Sequence, residues 1–369
     1  MNKRKSLILA LLIFTAGLVI SCTEGEDGDN SNKPRARGAS GEILLVIDSL
    51  KYKGPVGDAL KGIFEEDIKG LVREETLFDM RKVDPRSMTR ILKMAYNIVY
   101  VTTFDDKKPG SRMISNQFSP QSKEKAAADP SLFMLRNEDE FARGQEVVYL
   151  FGNNEEDLIN NLRKNKEKLQ NLFEVRERNR LGEVILSRTN GAVQTKGEEI
   201  LGLDLTVPAS YQFVKEEENF LWARQPTPTT KRADISLIFY QTDYTSEEQV
   251  FPENLIAFRD QILKTRVFGD PEKPNSYLET EKQIVPSFRN MEIDGHYAIE
   301  MRGQWKTHTI SMGGSFVSYA VVDEAKGKLY YLEGFLYYPS ETHKKALREI
   351  EAILMATKFP EAPKTKSKL

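Results

Sequence analysis

Residues 43–47, Ile-Leu-Leu-Val-Ile, form an apolar run of strand length with no polar alternation, the pattern of a strand buried on both faces. Such a strand needs cover above and below it, so the run commits the early body to a layered α/β arrangement. The residues that follow supply the cover. Val56, Leu60, Ile63, Phe64, Ile68 and Leu71 recur at helical spacing and predict a helix over 55–72. Leu77–Val83 reads as a short strand. Pro85 opens a further helix with Met88, Ile91 and Leu92 inward, and Asn97–Phe104 is another strand.

Residues 105–130 are rich in Lys, Ser, Asp and Pro and read as a mobile loop with a short helix at 122–128. Glu146–Phe151 is a strand, and Asn154 caps one long charged helix with Leu158, Leu162, Leu169, Leu172 and Phe173 inward. From about residue 197 the pattern changes. Strands are expected at 203–207, 220–224, 235–240, 297–305, 316–322 and 329–338, with helices at 251–267 and 340–357. Consecutive strands with inserted helices indicate an antiparallel sheet, so the fold class is α+β. Length (369 residues) and pattern divide the chain into an N-terminal α/β domain at 41–190 and a C-terminal domain at 191–360. Both Trp and most aromatic residues lie beyond position 191, which supports the division and reads mainly as sheet core.

The first residues are of a different kind. Lys3, Arg4 and Lys5 precede an apolar run from Leu7 to Ile20, too short to span a bilayer comfortably, and 1–21 reads as a signal peptide. The ending Leu18-Val19-Ile20-Ser21-Cys22 resembles a bacterial lipobox, which makes Cys22 a diacylglycerol and palmitate attachment point at the mature N-terminus. Since Cys22 is the single cysteine, thiol catalysis, disulfides and multi-Cys metal sites are excluded. Residues 22–40 read as a flexible tether, about 20–25 Å r.m.s. long, and 361–369 as a basic disordered tail. Thr23 after the cysteine favours the outer membrane, and the acidic cluster Glu24, Glu26, Asp27 and Asp29 is similar to surface-export tags of Bacteroidota lipoproteins. The partners implied are therefore the membrane, through Cys22, and another envelope protein. A formal charge of −2 removes the electrostatic case for nucleic acid.

Met301-Arg-Gly-Gln-Trp-Lys-Thr-His-Thr-Ile-Ser-Met-Gly-Gly-Ser-Phe316 is the most distinctive stretch. It resembles a signature, Arg-Gly-x-Trp followed by Met-Gly-Gly-x-Phe, of an uncharacterised Bacteroidota lipoprotein family, domain of unknown function 4837. Glu333–Pro339, Leu347–Leu354, Leu203–Pro208 and Phe220–Trp222 extend the resemblance over nearly all of the mature chain, with Ser315 standing where the family pattern has Pro. The resemblance implies an envelope lipoprotein and transfers no catalytic residues. The order of the second half also looks like a PsbP-type α/β/α sandwich.

No motif carries an identifiable chemistry. His296, His308 and His343 lack metal-ligand spacing, although His296 and His308 could face each other across a hairpin, and no metal or cofactor is implied. Lys53-Gly-Pro-Val-Gly-Asp58 lacks the ending of a phosphate loop and reads as a tight strand-to-helix connection, with Asp48 as a cap. Gly314-Ser315-Phe316 is not a nucleophile elbow, and Ser111, Ser115 and Ser119 fall in a polar loop. No catalytic residue is assigned. Arg302, Trp305, Met312, Gly313, Gly314 and Phe316 are the candidate interaction surface, because Arg and Trp are enriched at binding hot spots; the opposing reading is a core Trp covered by Arg302. A binding or assembly accessory protein is the leading function. A glycan-directed envelope hydrolase with paired carboxylates is the alternative.

Overall fold

A computed structural model describes residues 32–227, 232–339 and 341–360. The signal peptide, Cys22, most of the tether and the basic tail lie outside them. The apolar run becomes β1 (Glu42–Ile47), buried along its length as its composition requires. It pairs in parallel with β2 (Asp79–Val83) and β3 (Asn97–Thr103). An antiparallel strand β4 (Met134–Glu138) edges β5 (Glu146–Gly152), giving the order β2-β1-β3-β5-β4. Between β1 and β2 the chain forms α1 (Ser49–Tyr52) and α2 (Pro55–Phe64). The crossover from β3 carries α3 (Pro109–Ser115) and α4 (Pro120–Ala128), and α5 (Glu155–Lys164) and α6 (Lys166–Ile185) follow β5. One face of the sheet packs on α2, α5 and α6 through Leu60, Phe64, Leu162 and Phe173. The other packs on α3 and α4 through Ile114 and Ala126.

Several differences from the sequence expectation share one cause: apolar residues serving packing between layers imitate local periodicity. The predicted helix 55–72 ends at Phe64. Ile68 N–H instead donates to the Glu75 carbonyl, and Leu77 N–H to the Glu66 carbonyl, so 66–77 returns on itself as a loop. Its Leu71 packs on the core of the second sheet. The helix expected after Pro85 is two short 3-10 turns, 85–87 and 92–94, whose Met88 and Leu92 still pack on the first sheet. The 105–130 segment holds α4 where a short helix was expected and adds a second helix, α3, and the long charged helix is split at Asn165 into α5 and α6. The end of the expected tether is also attached. Ala36 N–H donates to the Arg143 carbonyl and Arg37 N–H to Met94, which seats 34–40 against the sheet.

The second half begins with α7 (Gly191–Leu201), capped by Asn190 and ended by Gly202 at φ +65°. β6 (Gln212–Glu217), β7 (Phe220–Gln225) and β8 (Asp234–Asp243) precede α8 (Pro252–Arg266). Then come β9 (Leu278–Thr280), β10 (Ser287–Ile293), β11 (His296–Thr307), β12 (Gly313–Asp323), β13 (Lys328–Tyr337) and α9 (Lys344–Leu354). The antiparallel order is β10-β11-β12-β13-β8-β7-β6, with β9 paired to the far end of β11. Leu203–Val207 is extended but makes only an isolated bridge at Asp204; its Leu203, Leu205 and Val207 cover the sheet instead of extending it. With α7 and α9 on one face and α8 on the other, the sheet is a helix-flanked α/β/α sandwich. Pro34–Leu369 is one compact unit. No described helix is long and apolar enough to cross a membrane.

Candidate functional site

Register places Gly303 opposite Phe316 and Trp305 opposite Gly314, so each aromatic ring faces a residue without a side chain. A Cβ on Gly314 would lie 2.0 Å from the Leu336 carbonyl oxygen and 3.0 Å from Trp305 Nε1. The missing methyl lets the buried indole cross β12 and donate to the Leu336 carbonyl of β13 at 3.1 Å. On the same face, the fully buried Arg259 guanidinium stacks 3.7 Å from the Phe316 ring centroid. It forks onto Glu333 at 2.8 and 2.9 Å and donates to Thr280 Oγ1 at 2.8 Å. Met312, in the turn between β11 and β12, is half-buried against this cluster.

Arg302, three residues from Trp305 on one strand, points to the opposite face and does not cover it. It donates to Glu300 at 2.8 and 2.9 Å and reaches Glu351 of α9 at 2.7 Å. Arg289 closes the cluster onto Glu300 at 3.1 Å. Burial raises the Glu300 carboxyl, but the Arg302 and Arg289 guanidiniums outweigh it and hold the group at about 2. Glu351 moves the other way, raised by burial that Arg302 only partly offsets.

The loop 66–77 of the first half folds over this sheet. Gly70, at φ +81°, fits against the Arg302 carbonyl, where a Cβ would come within 2.7 Å. The Glu75 carboxylate accepts from the His343 N–H at 2.8 and 3.0 Å and from the Lys344 N–H at 2.7 Å, capping α9 from 268 residues away in sequence. Gln304 Nε2 donates to the Gly70 carbonyl at 2.7 Å and to Ser315 Oγ at 2.8 Å. His343 Nε2 lies 3.1 Å from the Tyr338 carbonyl, which can only accept, so Nδ1 accepts from Ser315 Oγ at 2.7 Å. Ser315 is buried near the start of β12, so this Ser–His contact ties a wall together and presents no accessible nucleophile.

These ties surround a cavity of about 400 Å³, in the range of small-ligand sites. Its walls come from 71–75, 281–284, the adjoining ends of β11 and β12, and 338–343. Trp305, Gly313 and Gly314 line it, so three candidate residues meet there; Arg302, Met312 and Phe316 do not line it. Of the six, only Gly313 is exposed. Val72, 68% exposed, and the half-buried Ile284 contribute apolar side chains to the lining. Among the lining carboxylates, Glu75 is taken by α9 and Glu281 pairs with Lys306 at 3.2 Å. The exposed Glu341 carboxylate has no hydrogen bond or ion pair among the described residues.

The other sequence candidates are dispersed. His296 sits near Asp323 and His308 stacks on Tyr277, at opposite ends of β11, so they do not face each other. His343, expected in an exposed first turn, is the half-buried residue before α9. Among the described residues no group of three or more His, Cys, Asp or Glu is placed to hold a metal. Ser111 and Ser115 are buried on α3, and Ser119 caps α4. Asp48 caps α1. Sequence reasoning missed Arg259, Glu333 and Lys51. Lys51, at the carboxyl edge of the parallel sheet, is buried with its ammonium 2.6 Å from Glu155, 3.2 Å from Asp106 and 3.1 Å from Thr103 Oγ1.

Residues 190–356 match the model of a domain of unknown function, DUF4837, and residues 36–186 match a second one, DUF8532. The resemblance read over nearly the whole body thus rests on DUF4837 in the second half only. No curated protein is significantly similar to the chain. Among solved structures, LpqN of Mycobacterium tuberculosis, titled as involved in cell envelope biogenesis, aligns at 13% identity over 42% of this chain and 82% of its own, TM-score 0.27. A Mog1 variant aligns at 6% over 41% and 84%, TM-score 0.27. A structure from Bacteroides thetaiotaomicron aligns at 9% over 44% and 46%, TM-score 0.25. Likenesses of this size carry no functional argument.

Proposed function

We propose that the chain is an envelope lipoprotein, anchored to the outer membrane through Cys22, whose body binds another envelope protein without catalysing a reaction on it. The observation that carries the binding reading is the cavity. The most distinctive stretch of the sequence lines it, a loop from the other half supplies a wall, and that loop's exposed Val72 adds apolar surface beside Ile284. Apolar side chains at the rim of a concave site are what an interface covers. The lining also argues against paired-acid hydrolysis, since two of its three carboxylates are engaged in holding the protein together. The anchoring reading rests on the basic, apolar and Cys22 succession of the first residues.

The test is reversible crosslinking in cells followed by purification and identification of what comes with the protein. The account expects a recurrent envelope protein in stoichiometric amount. Recovery of the chain alone, under conditions that capture known envelope complexes, would count against it.

A further inference from the structure

We infer that the cavity takes a lysine or arginine side chain of its partner, the aliphatic stem lying against Val72 and Ile284 and the cation meeting Glu341. This rests on the binding reading above and adds the chemistry of what is bound. Three observations converge on it. The cavity, about 400 Å³, exceeds the needs of one water and accommodates a long side chain. Val72 and Ile284 belong to segments from the two halves of the chain, and both offer apolar surface to the lining. Glu341 is the one lining carboxylate without a partner among the described residues, because Glu75 and Glu281 are satisfied within the protein.

An apolar stem with a charged end matches that sequence of surfaces. An acidic side chain would meet Glu341 with like charge. A purely aliphatic one would bury the carboxylate and leave it unpaired.

The purified full chain in detergent can be titrated with fluorescein-labelled penta-lysine, penta-(acetyl-lysine) and penta-glutamate, read by anisotropy. Acetyl-lysine keeps the stem and removes the charge. Penta-lysine should bind best and penta-glutamate not at all. Glu341→Gln should weaken penta-lysine about threefold to fivefold, the size of an exposed ion pair. Glu324→Gln is the control, at the far end of β12 and about 35 Å away by strand rise; it should change nothing. Equal binding of penta-lysine and its acetylated form, or equal weakening by both substitutions, would overturn the inference. So would a partner captured in cells whose contacting segment contains neither lysine nor arginine, a result that leaves the binding reading standing.

Discussion

A methyl group at position 314 would overlap the Leu336 carbonyl and the indole nitrogen of Trp305, so Gly314→Ala forces β12 away from its neighbours and removes a buried hydrogen bond. The expected cost is about 2–4 kcal/mol by urea titration. Gly62 gives the contrast, since a Cβ at this exposed position of α2 meets nothing within 4 Å. Gly62→Ala should stabilise by about 0.5–1 kcal/mol. The ionic cluster makes a pH prediction. Glu300, held at about 2, binds its proton later than in the unfolded chain, so its contribution is complete above about pH 4.5 and lost as pH falls toward 2. Glu351, raised by burial, acts in the opposite sense, favouring the fold below its unfolded value and losing that contribution as pH rises through its folded one. Acid titration of Glu300→Gln should show a shallower fall in stability below pH 4.5 than the natural chain. At this scale the sequence was partly legible. Arg259 continues the buried stripe of Leu255, Ile262 and Leu263 along α8, and Glu333 interrupts the apolar run of β13. A charge of each sign inside an apolar pattern was the available signal for their pairing.

Elements with strong burial were readable, and edges were not. β1, β3, β5 and β13 are buried along most of their length, so their apolar runs announced them. β4 and β6 expose most of their residues and lack alternation, and β9 has three residues. The N-terminus of α9 depends on Glu75, a partner no local pattern could supply. Glu75→Gln should raise amide hydrogen exchange at His343 and Lys344 while leaving β13 protected, with a loss of about 1–2 kcal/mol. The link from α8 to β13 is a fully buried ion pair. Arg259→Met alone should cost about 3–5 kcal/mol by leaving Glu333 uncompensated, and adding Glu333→Leu should recover much of it. A double mutant no more stable than the single one would show that the pair acts independently of burial cost.

The whole molecule is held by contacts of very long sequence separation: Glu75 to α9, Gly70 to Gln304, and Lys344 to Asp79 at 2.8 Å. Such contacts bring a loop read from sequence as helix onto the cavity, which is why the site was legible only as a distinctive stretch around Trp305 and Gly314. The address belongs to this scale too. Alkyne-palmitate labelling should mark the natural chain and fail on Cys22→Ala, which should leave the membrane fraction. The binding site itself is tested most directly by photocrosslinking in cells, with p-benzoylphenylalanine placed at Val72 in the cavity lining or at Val184, equally exposed on α6. The account predicts a discrete adduct with one envelope protein from position 72 and none from 184. The same adduct from both positions, or from 184 alone, would contradict it.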